Sequence, residues 1–348
     1  IKSMKKYNIA ILGATGAVGQ EFLTLIEERK FPFANLKLLA SKRSAGKVIT
    51  FMGKEYVVEE ASNDSFKDID IALFAGGSAS TVFAEAAVKS GAVVIDNSSA
   101  FRMDPNVPLV VPEVNPEAIS SHKGIIANPN CSTIIMTMAL KPIYDKAKIK
   151  RIIVSTYQAV SGAGKEAIDE LDNQVKAIAE GRDVEAKVLP SASLPKHYQI
   201  AFNLIPQIDV FTDSGYTKEE IKMIKETHKI LQDDNIGITA TTIRVPVYRS
   251  HAESINIELE DEVTVAEAKA LLNAFPGVIV QDEPENMVYP MPLYTSMQDE
   301  VFVGRIRKDN SIKHGLNLWV VGDQIRKGAA LNALQIAEYM INNNLLSK

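Results

Sequence analysis

The fold is decided by Tyr7-Asn8-Ile9-Ala10-Ile11-Leu12, an apolar run that ends in Gly13-Ala14-Thr15-Gly16-Ala17-Val18-Gly19 and continues as a helical pattern to about Arg29. A short apolar run without alternation is how a strand reads when both faces of its sheet are covered. Glycines between such a strand and a helix have separate uses. The first allows a tight turn, the next lets backbone approach a pyrophosphate, and the last lets helix and strand pack closely. Phosphate then sits at the helix N-terminus, where unpaired N–H groups and the helix dipole favour an anion. The spacing is G-x-x-G-x-x-G rather than G-x-G-x-x-G, so the strand before it and the helix after it carry the assignment.

Outward from this stretch, strands are expected at Leu36–Ala40, at Ile69–Ala75 (running into Gly76-Gly77) and at Val93–Ile95, with a helix over Ala79–Lys89. Strand–helix alternation implies a parallel, Rossmann-type doubly wound sheet with right-handed crossovers over about the first 130 residues. A carboxylate usually ends the second strand of an NAD-selective site, about 20 residues after the glycines. Here the chain reads Ala40-Ser41-Lys42-Arg43-Ser44. Ser41, Arg43 and Ser44 suit a 2′-phosphate, which favours NADP, whereas a plain solvated loop is the competing reading.

Beyond residue 131 the pattern changes. A buried helix is expected over Ser132–Tyr144, amphipathic helices over Lys165–Glu180 and Lys218–Asp233, and one last helix from Asp323 to Ile341 with Asp323 as its cap. Strand-like runs cluster at Arg151–Val160, Ile238–Val247, Glu253–Glu260, Glu300–Arg307 and Leu316–Val321. These describe a second α+β domain on a mostly antiparallel sheet. The expected division is 1–130 plus 323–348 for the dinucleotide, and 131–322 for catalysis, substrate and dimerisation. A chain of 348 residues is long enough for two domains.

Composition removes several classes of function. The hydrophobic fraction is 46%, the charged fraction 23%, and the net charge −5. No basic run points to nucleic acid or to an anionic membrane. No stretch reaches the about 20 apolar residues of a membrane span. Met4 reads as a start residue preceded by Ile1 to Ser3, and the expected compartment is the cytoplasm. The one cysteine, Cys131, can form neither an internal disulfide nor a thiolate zinc cage, and no metal site is expected.

Asn128-Pro129-Asn130-Cys131-Ser132-Thr133 puts that cysteine at a helix start. The helix dipole there favours thiolate, and the open N–H groups suit an oxyanion. A lone cysteine is more often an inert core residue. Following a dinucleotide domain, it has a use as a nucleophile that turns an aldehyde into a thiohemiacetal. Among five histidines, His251 shares the parity of Ile255, Ile257 and Leu259 and points inward, as a base or as a satisfied core histidine. Arg249 has the same parity and is expected to depress its pKa. Strict parity would put Arg244 and His251 on opposite faces, with Pro246 between them to break the register.

Together with the glycine loop, Asn130-Cys131-Ser132-Thr133 and Gln158 with Ser161-Gly162-Ala163-Gly164 resemble the aspartate-β-semialdehyde dehydrogenases. The likeness runs on through Ser99-Ala100-Phe101-Arg102-Met103, Glu219-Glu220-Ile221-Lys222, Arg244-Val245-Pro246-Val247, His251 and Asp323-Gln324-Ile325-Arg326-Lys327-Gly328-Ala329-Ala330. The resemblance implies Cys131 as nucleophile, His251 as general acid/base and Gln158 as the residue orienting the acyl intermediate. It implies Arg244 for the substrate carboxylate, Glu219 or its neighbour Glu220 for the ammonium, Arg102 and Lys222 for phosphate, and Asn130 beside the substrate. For the cofactor it implies Gly13, Thr15, Gly16, Ala17, Val18, Gly19, Ser41, Arg43, Ser44, Gly76, Ser161, Gly162 and Gln324. The implied reaction is the reversible, NADP-dependent reductive dephosphorylation of L-aspartyl 4-phosphate to the semialdehyde, through a thioester, for lysine (by way of diaminopimelate), threonine and methionine. The implied assembly is a homodimer or homotetramer. N-acetylglutamyl-phosphate reductase is the nearest alternative. It would leave a substrate-facing Glu219 without an ammonium partner. A non-catalytic NADP-binding relative is a third reading, against which stand both Cys131 and His251.

Overall fold

The computed structural model describes residues 5–346, so Met4 and the residues before it lie outside the described residues. The chain forms two compact units. One comprises the residues up to Asn130 and those from Ala329 onward; the other is Cys131–Gly328.

In the first unit β1 (Tyr7–Leu12), α1 (Ala17–Glu28), β2 (Phe33–Ala40), β3 (Val48–Phe51), β4 (Lys54–Val57), β5 (Glu59–Glu60), β6 (Ile71–Phe74), α2 (Ala79–Lys89), β7 (Val93–Asp96) and β8 (Ile125–Ala127) follow in order. Six of the strands make one parallel sheet in the order β5-β2-β1-β6-β7-β8. The chain leaves β1 toward β2 on one side and later returns to β6 on the other. The glycine loop therefore opens at the switch point of a doubly wound sheet, where such folds bind ligands. The apolar run of β1 splits by parity. Ile9 and Ile11 pack with Phe22 and Ile26 of α1 and with Leu334 and Ile336 of the C-terminal helix, whereas Ala10 and Leu12 pack with Ala72, Phe74, Ala84 and Ala87. Both faces are buried, which is why the run shows no alternation.

The β3–β4 hairpin was not anticipated. Its strands expose Val48 and Val57, and it turns on Met52 and Gly53, both at positive φ. Only a two-residue Met-Gly turn marked it in the sequence.

The second unit runs α3 (Cys131–Ala147), β9 (Ile149–Gln158), α4 (Lys165–Ala179), α5 (Lys218–Leu231), β10 (Gly237–Arg244), β11 (His251–Leu259), α6 (Val265–Ala274), β12 (Val278–Val280), α7 (Pro292–Thr295), β13 (Val301–Asp309) and β14 (Gly315–Gly322). The sheet order is β10-β9-β11-β14-β13-β12. Pairs β9–β11, β11–β14 and β14–β13 are antiparallel, and the two edge pairs, β10–β9 and β12–β13, are parallel. Helix α3 packs on β9, β11, β13 and β14, and α5 packs on β10 and α3.

The expected single helix from Asp323 is instead a turn, a π-helical segment over Arg326–Ala330, and α8 (Leu331–Asn342). Asp323 does not cap α8. Its buried carboxylate accepts from the N–H groups of Ile325, Arg326 and Met297 and from Arg249 Nε, which ties residues 323–328 to the second unit. The chain re-enters the first unit at Ala329 rather than at Asp323. There Asn332 donates to Val110 O and Asn128 Oδ1, and Glu338 pairs with Arg29 at 2.8 Å.

Candidate active site

In the second unit three strand ends meet in register. Arg244, the last residue of β10, lies opposite Gln158, the last residue of β9. Ala252 lies opposite Tyr157, so His251, which begins β11, is placed opposite Gln158 from the other side. All three side chains are buried. The register breaks around Pro246, as expected: residues 245–250 form a loop, in which Ser250 takes φ 84°, and the count restarts on a new strand.

Each side chain is held by a specific contact. Arg244 Nη1 donates to Ala159 O at 2.8 Å. Burial draws its pKa below the ordinary guanidinium value, while Glu219 and Cys131 act in the opposite sense. The Ala159 N–H donates to His251 Nδ1 at 2.9 Å, and buried Nε2 has no protein partner. Burial first, and the charge of Arg244 second, hold His251 well below the usual imidazole range. Arg249, the cation expected from sequence, is instead paired with Asp323 at 2.7 Å. Neighbours along a strand do not show which charge lies across the sheet.

Gln158 lies in a chain of hydrogen bonds. Thr156 Oγ1 donates to Gln158 Oε1 at 2.8 Å, and Gln158 Nε2 donates to Glu219 Oε2 at 3.2 Å. A carboxylate only accepts, so the amide is oriented with its NH₂ toward Glu219. The choice between adjacent glutamates is made by helix capping. Glu220 completes a capping box with Thr217 and accepts the Thr242 N–H at 2.9 Å, whereas buried Glu219 joins the Gln158–Arg244 cluster. Lys222, one turn on, is half-buried and pairs with Asp209 at 3.4 Å.

Cys131 is the first residue of α3 and is half-buried. A Cβ added at Gly328 would stand 3.1 Å from Cys131 Cβ, so the π-helical segment packs closely against the base of the Cys131 side chain. A Cβ added at Gly162 would stand 3.0 Å from Arg244 Nη1 and 3.2 Å from His251 Cε1. Gln324 accepts the Ser250 N–H at 2.8 Å and donates to Ser161 Oγ, which joins two of the expected cofactor residues. Sequence reasoning missed Thr156, the backbone of Ala159 and the roles of Gly162 and Gly328 as close-approach points. A backbone contact has no residue-type signal.

The remaining expected residues belong to the first unit. Gly13 has φ 84° and donates to Leu39 O at 2.9 Å, and Gly16 precedes α1, whose first turn begins at Ala17 and Val18 and contains no acidic residue. A Cβ at Gly19 would overlap Gly13 O and the Ala14 backbone, which explains the third glycine. Thr15 Oγ1 reaches Ser44 Oγ at 3.4 Å, so the loop after β2 closes onto the glycine turn. Ser41 and Arg43 are exposed there, and Gly76, after β6, has φ 124°. Arg102 is buried and donates to Asn128 O at 2.9 Å and Asn97 O at 3.0 Å; Asn130, also buried, is the last residue of this unit before Cys131. Among the described residues no helix is long and apolar enough to cross a membrane.

Comparison with known proteins finds relatives for both parts of the chain. Residues 8–122 match the model of the semialdehyde dehydrogenase NAD binding domain, and residues 140–327 match that of the semialdehyde dehydrogenase dimerisation domain. The aspartate-semialdehyde dehydrogenase of Aquifex aeolicus is 59% identical over 98% of this chain and 99% of its own length. That of Bacillus subtilis is 53% identical over 97% of this chain and 99% of its own. The crystal structure of Vibrio cholerae aspartate semialdehyde dehydrogenase II complexed with ASA superposes with a TM-score of 0.92 at 47% identity, covering 98% of this chain and 99% of that one. The Candida albicans enzyme, solved with NADP, gives 0.77 at 25% identity, covering 98% and 100%. With both domains matched and close relatives aligned nearly end to end, the chain belongs to the aspartate-semialdehyde dehydrogenase family.

Proposed function

We propose that the protein catalyses the reversible reductive dephosphorylation of L-aspartyl 4-phosphate to L-aspartate 4-semialdehyde with NADP. The observation that carries this reading is the buried grouping of one cation and one anion, Arg244 and Glu219, with Gln158 and His251 in the unit that begins with Cys131. A small zwitterion presents a carboxylate for a guanidinium and an ammonium for a carboxylate, and this pair offers both.

The first unit fits a dinucleotide. The strand-end glycines leave the N-terminus of α1 open, no carboxylate ends β2, and Ser41, Arg43 and Ser44, which follow β2, suit a 2′-phosphate by their chemistry. Thr15, Gly76, Ser161, Gly162 and Gln324 are assigned to the same cofactor. When bound, the nicotinamide supplies or removes the hydride.

In the oxidative direction the Cys131 thiolate adds to the aldehyde carbon, and the resulting oxyanion takes a hydrogen bond from His251 Nε2–H. Oxidation leaves a thioester on Cys131, whose carbonyl Gln158 orients. Phosphate, held by Arg102 and Lys222 with Asn130 beside the substrate, attacks that carbonyl and expels the thiolate. The biosynthetic direction is the reverse and feeds lysine, threonine and methionine. We assign the protein to the cytoplasm as a homodimer or a dimer of dimers; the match to a dimerisation-domain model supports self-association.

The test is NADPH absorbance with the aspartyl and N-acetylglutamyl semialdehydes, each with and without phosphate. Phosphate-dependent signal with the aspartyl compound is expected. Signal with only the N-acetylated compound overturns the substrate, and signal with neither overturns the reaction. C131S should lower kcat by about a thousandfold or more while NADP still binds.

A further inference from the structure

One pleat inward from Arg244, Gln158 and His251 lies a second buried row. Thr242 pairs with Thr156, and Thr156 pairs with Glu253. Residues two apart on a strand share a face, so this row lies directly beneath the first. The next row, Ala240, Val154 and Ile255, is apolar. Glu253 therefore stands in a single polar layer between the active site and the core. It is fully buried, and neither of its carboxyl oxygens has a hydrogen-bond partner in the protein; Thr242 Oγ1 has none either.

A carboxylate in that position is costly as an anion. Burial first, and the nearby Glu219 second, raise the Glu253 carboxyl well above the usual range. The protonation state decides what Thr156 does. Its hydroxyl has one proton to give and two lone pairs to offer. An ionised Glu253 would compete for that proton and draw it from Gln158 Oε1. A protonated Glu253 donates instead, which leaves the Thr156 proton for Gln158. Internal water bridges buried polar atoms of this kind where the site has room for one and gives it two or more partners.

We propose that Glu253 is a positioning residue, a neutral carboxylic acid whose O–H, relayed by a bridging water to Thr156, sets a one-way hydrogen-bond chain through Thr156 and Gln158 to Glu219. The chain fixes the amide that orients the acyl group and the carboxylate that meets the substrate ammonium, so the inference rests on the function proposed above.

Three measurements test it. E253L, which cannot donate, should raise KM for the semialdehyde about tenfold and lower kcat, and E253Q, whose amide donates, should restore both to within about twofold. T156V should resemble E253L, and the double variant E253L/T156V should be no worse than either, because the two act through one chain. Infrared spectra of the wild-type protein should contain a protonated-carboxyl C=O band that E253Q removes. Wild-type kinetics in E253L, failure of E253Q to rescue, additive losses in the double variant, or no Glu253-dependent band would each overturn the proposal. The infrared measurement needs no turnover. A wild-type chain that is inactive but shows the band refutes the proposed reaction while leaving the neutral Glu253 in place.

Discussion

The Ala159 N–H donates to His251 Nδ1 at 2.9 Å and so decides which nitrogen of the ring carries the proton. A backbone N–H can only donate, so Nδ1 presents its lone pair and the neutral ring carries its hydrogen on Nε2. An imidazolium would set two N–H groups against each other. Burial and Arg244 act in the same direction and favour the neutral ring, which in the proposed reaction presents Nε2–H as a donor toward the reacting oxygen.

A pH dependence of stability follows. The folded pKa of His251 is depressed, so between that value and the unfolded value of about 6.5 the unfolded chain binds a proton that the folded chain does not. The stabilising contribution is complete above the unfolded value and is lost as pH falls toward the folded one. Denaturant midpoints measured from neutral to mildly acid pH should fall more steeply for the wild-type protein than for H251N. Parallel profiles for the two would show that the ring titrates normally.

Gly162 leaves the space that Arg244 and His251 share. An added methyl would lie 3.0 Å from Arg244 Nη1, 3.2 Å from His251 Cε1 and 3.3 Å from Nε2. Both residues are buried and tied to Ala159, so they have little room to yield. G162A should lower kcat/KM between about tenfold and a hundredfold through misplacement of the carboxylate clamp and the ring. Its circular dichroism and unfolding midpoint should remain near wild type. Unimpaired turnover in this variant would mean that Arg244 and His251 are not held in their reactive positions.

Arg43 supplies, next to Lys42, a guanidinium after β2, in a loop joined to the glycine turn by Thr15 and Ser44. A guanidinium recognises a 2′-phosphate by paired, charge-assisted hydrogen bonds, which a ribose hydroxyl cannot match. R43S should lower the ratio of kcat/KM with NADP to that with NAD by about tenfold or more, mainly through KM for NADP. R43E should lower it further. An unchanged ratio would remove Arg43 from cofactor selection.

Much of the first unit was legible because its signals are local. The β1–glycine–α1 stretch reads directly, and α2 occupies the expected Ala79–Lys89. The polar residues of the second unit were individually legible, yet their relations were not. Register between strands distant in sequence puts Arg244 and His251 on either side of Gln158, and no parity count crosses the loop between them. The cation beside His251 is Arg244 rather than Arg249 for the same reason. The last helix failed differently: helical periodicity cannot reveal that Asp323 is already committed to Arg249 and Met297, or that the chain must widen into a π-turn before α8.

That π-turn gives the last prediction. Isolated π-helical turns tend to occur at functional sites, and this one brings Gly328 against Cys131, the proposed nucleophile. A Cβ at position 328 would meet Cys131 Cβ at 3.1 Å, Asp323 O at 3.4 Å and Gln324 Cβ at 3.4 Å. Asp323 is anchored by four hydrogen bonds and Gln324 by Ser250 and Ser161, so the added methyl bears on Cys131 at the start of α3. G328A should therefore change the rate at which iodoacetamide alkylates Cys131 and lower kcat by about tenfold or more, with NADP affinity close to wild type. Alkylation and turnover at wild-type rates would show that the π-turn has slack behind Cys131 and that the close approach does not set the position of the thiol.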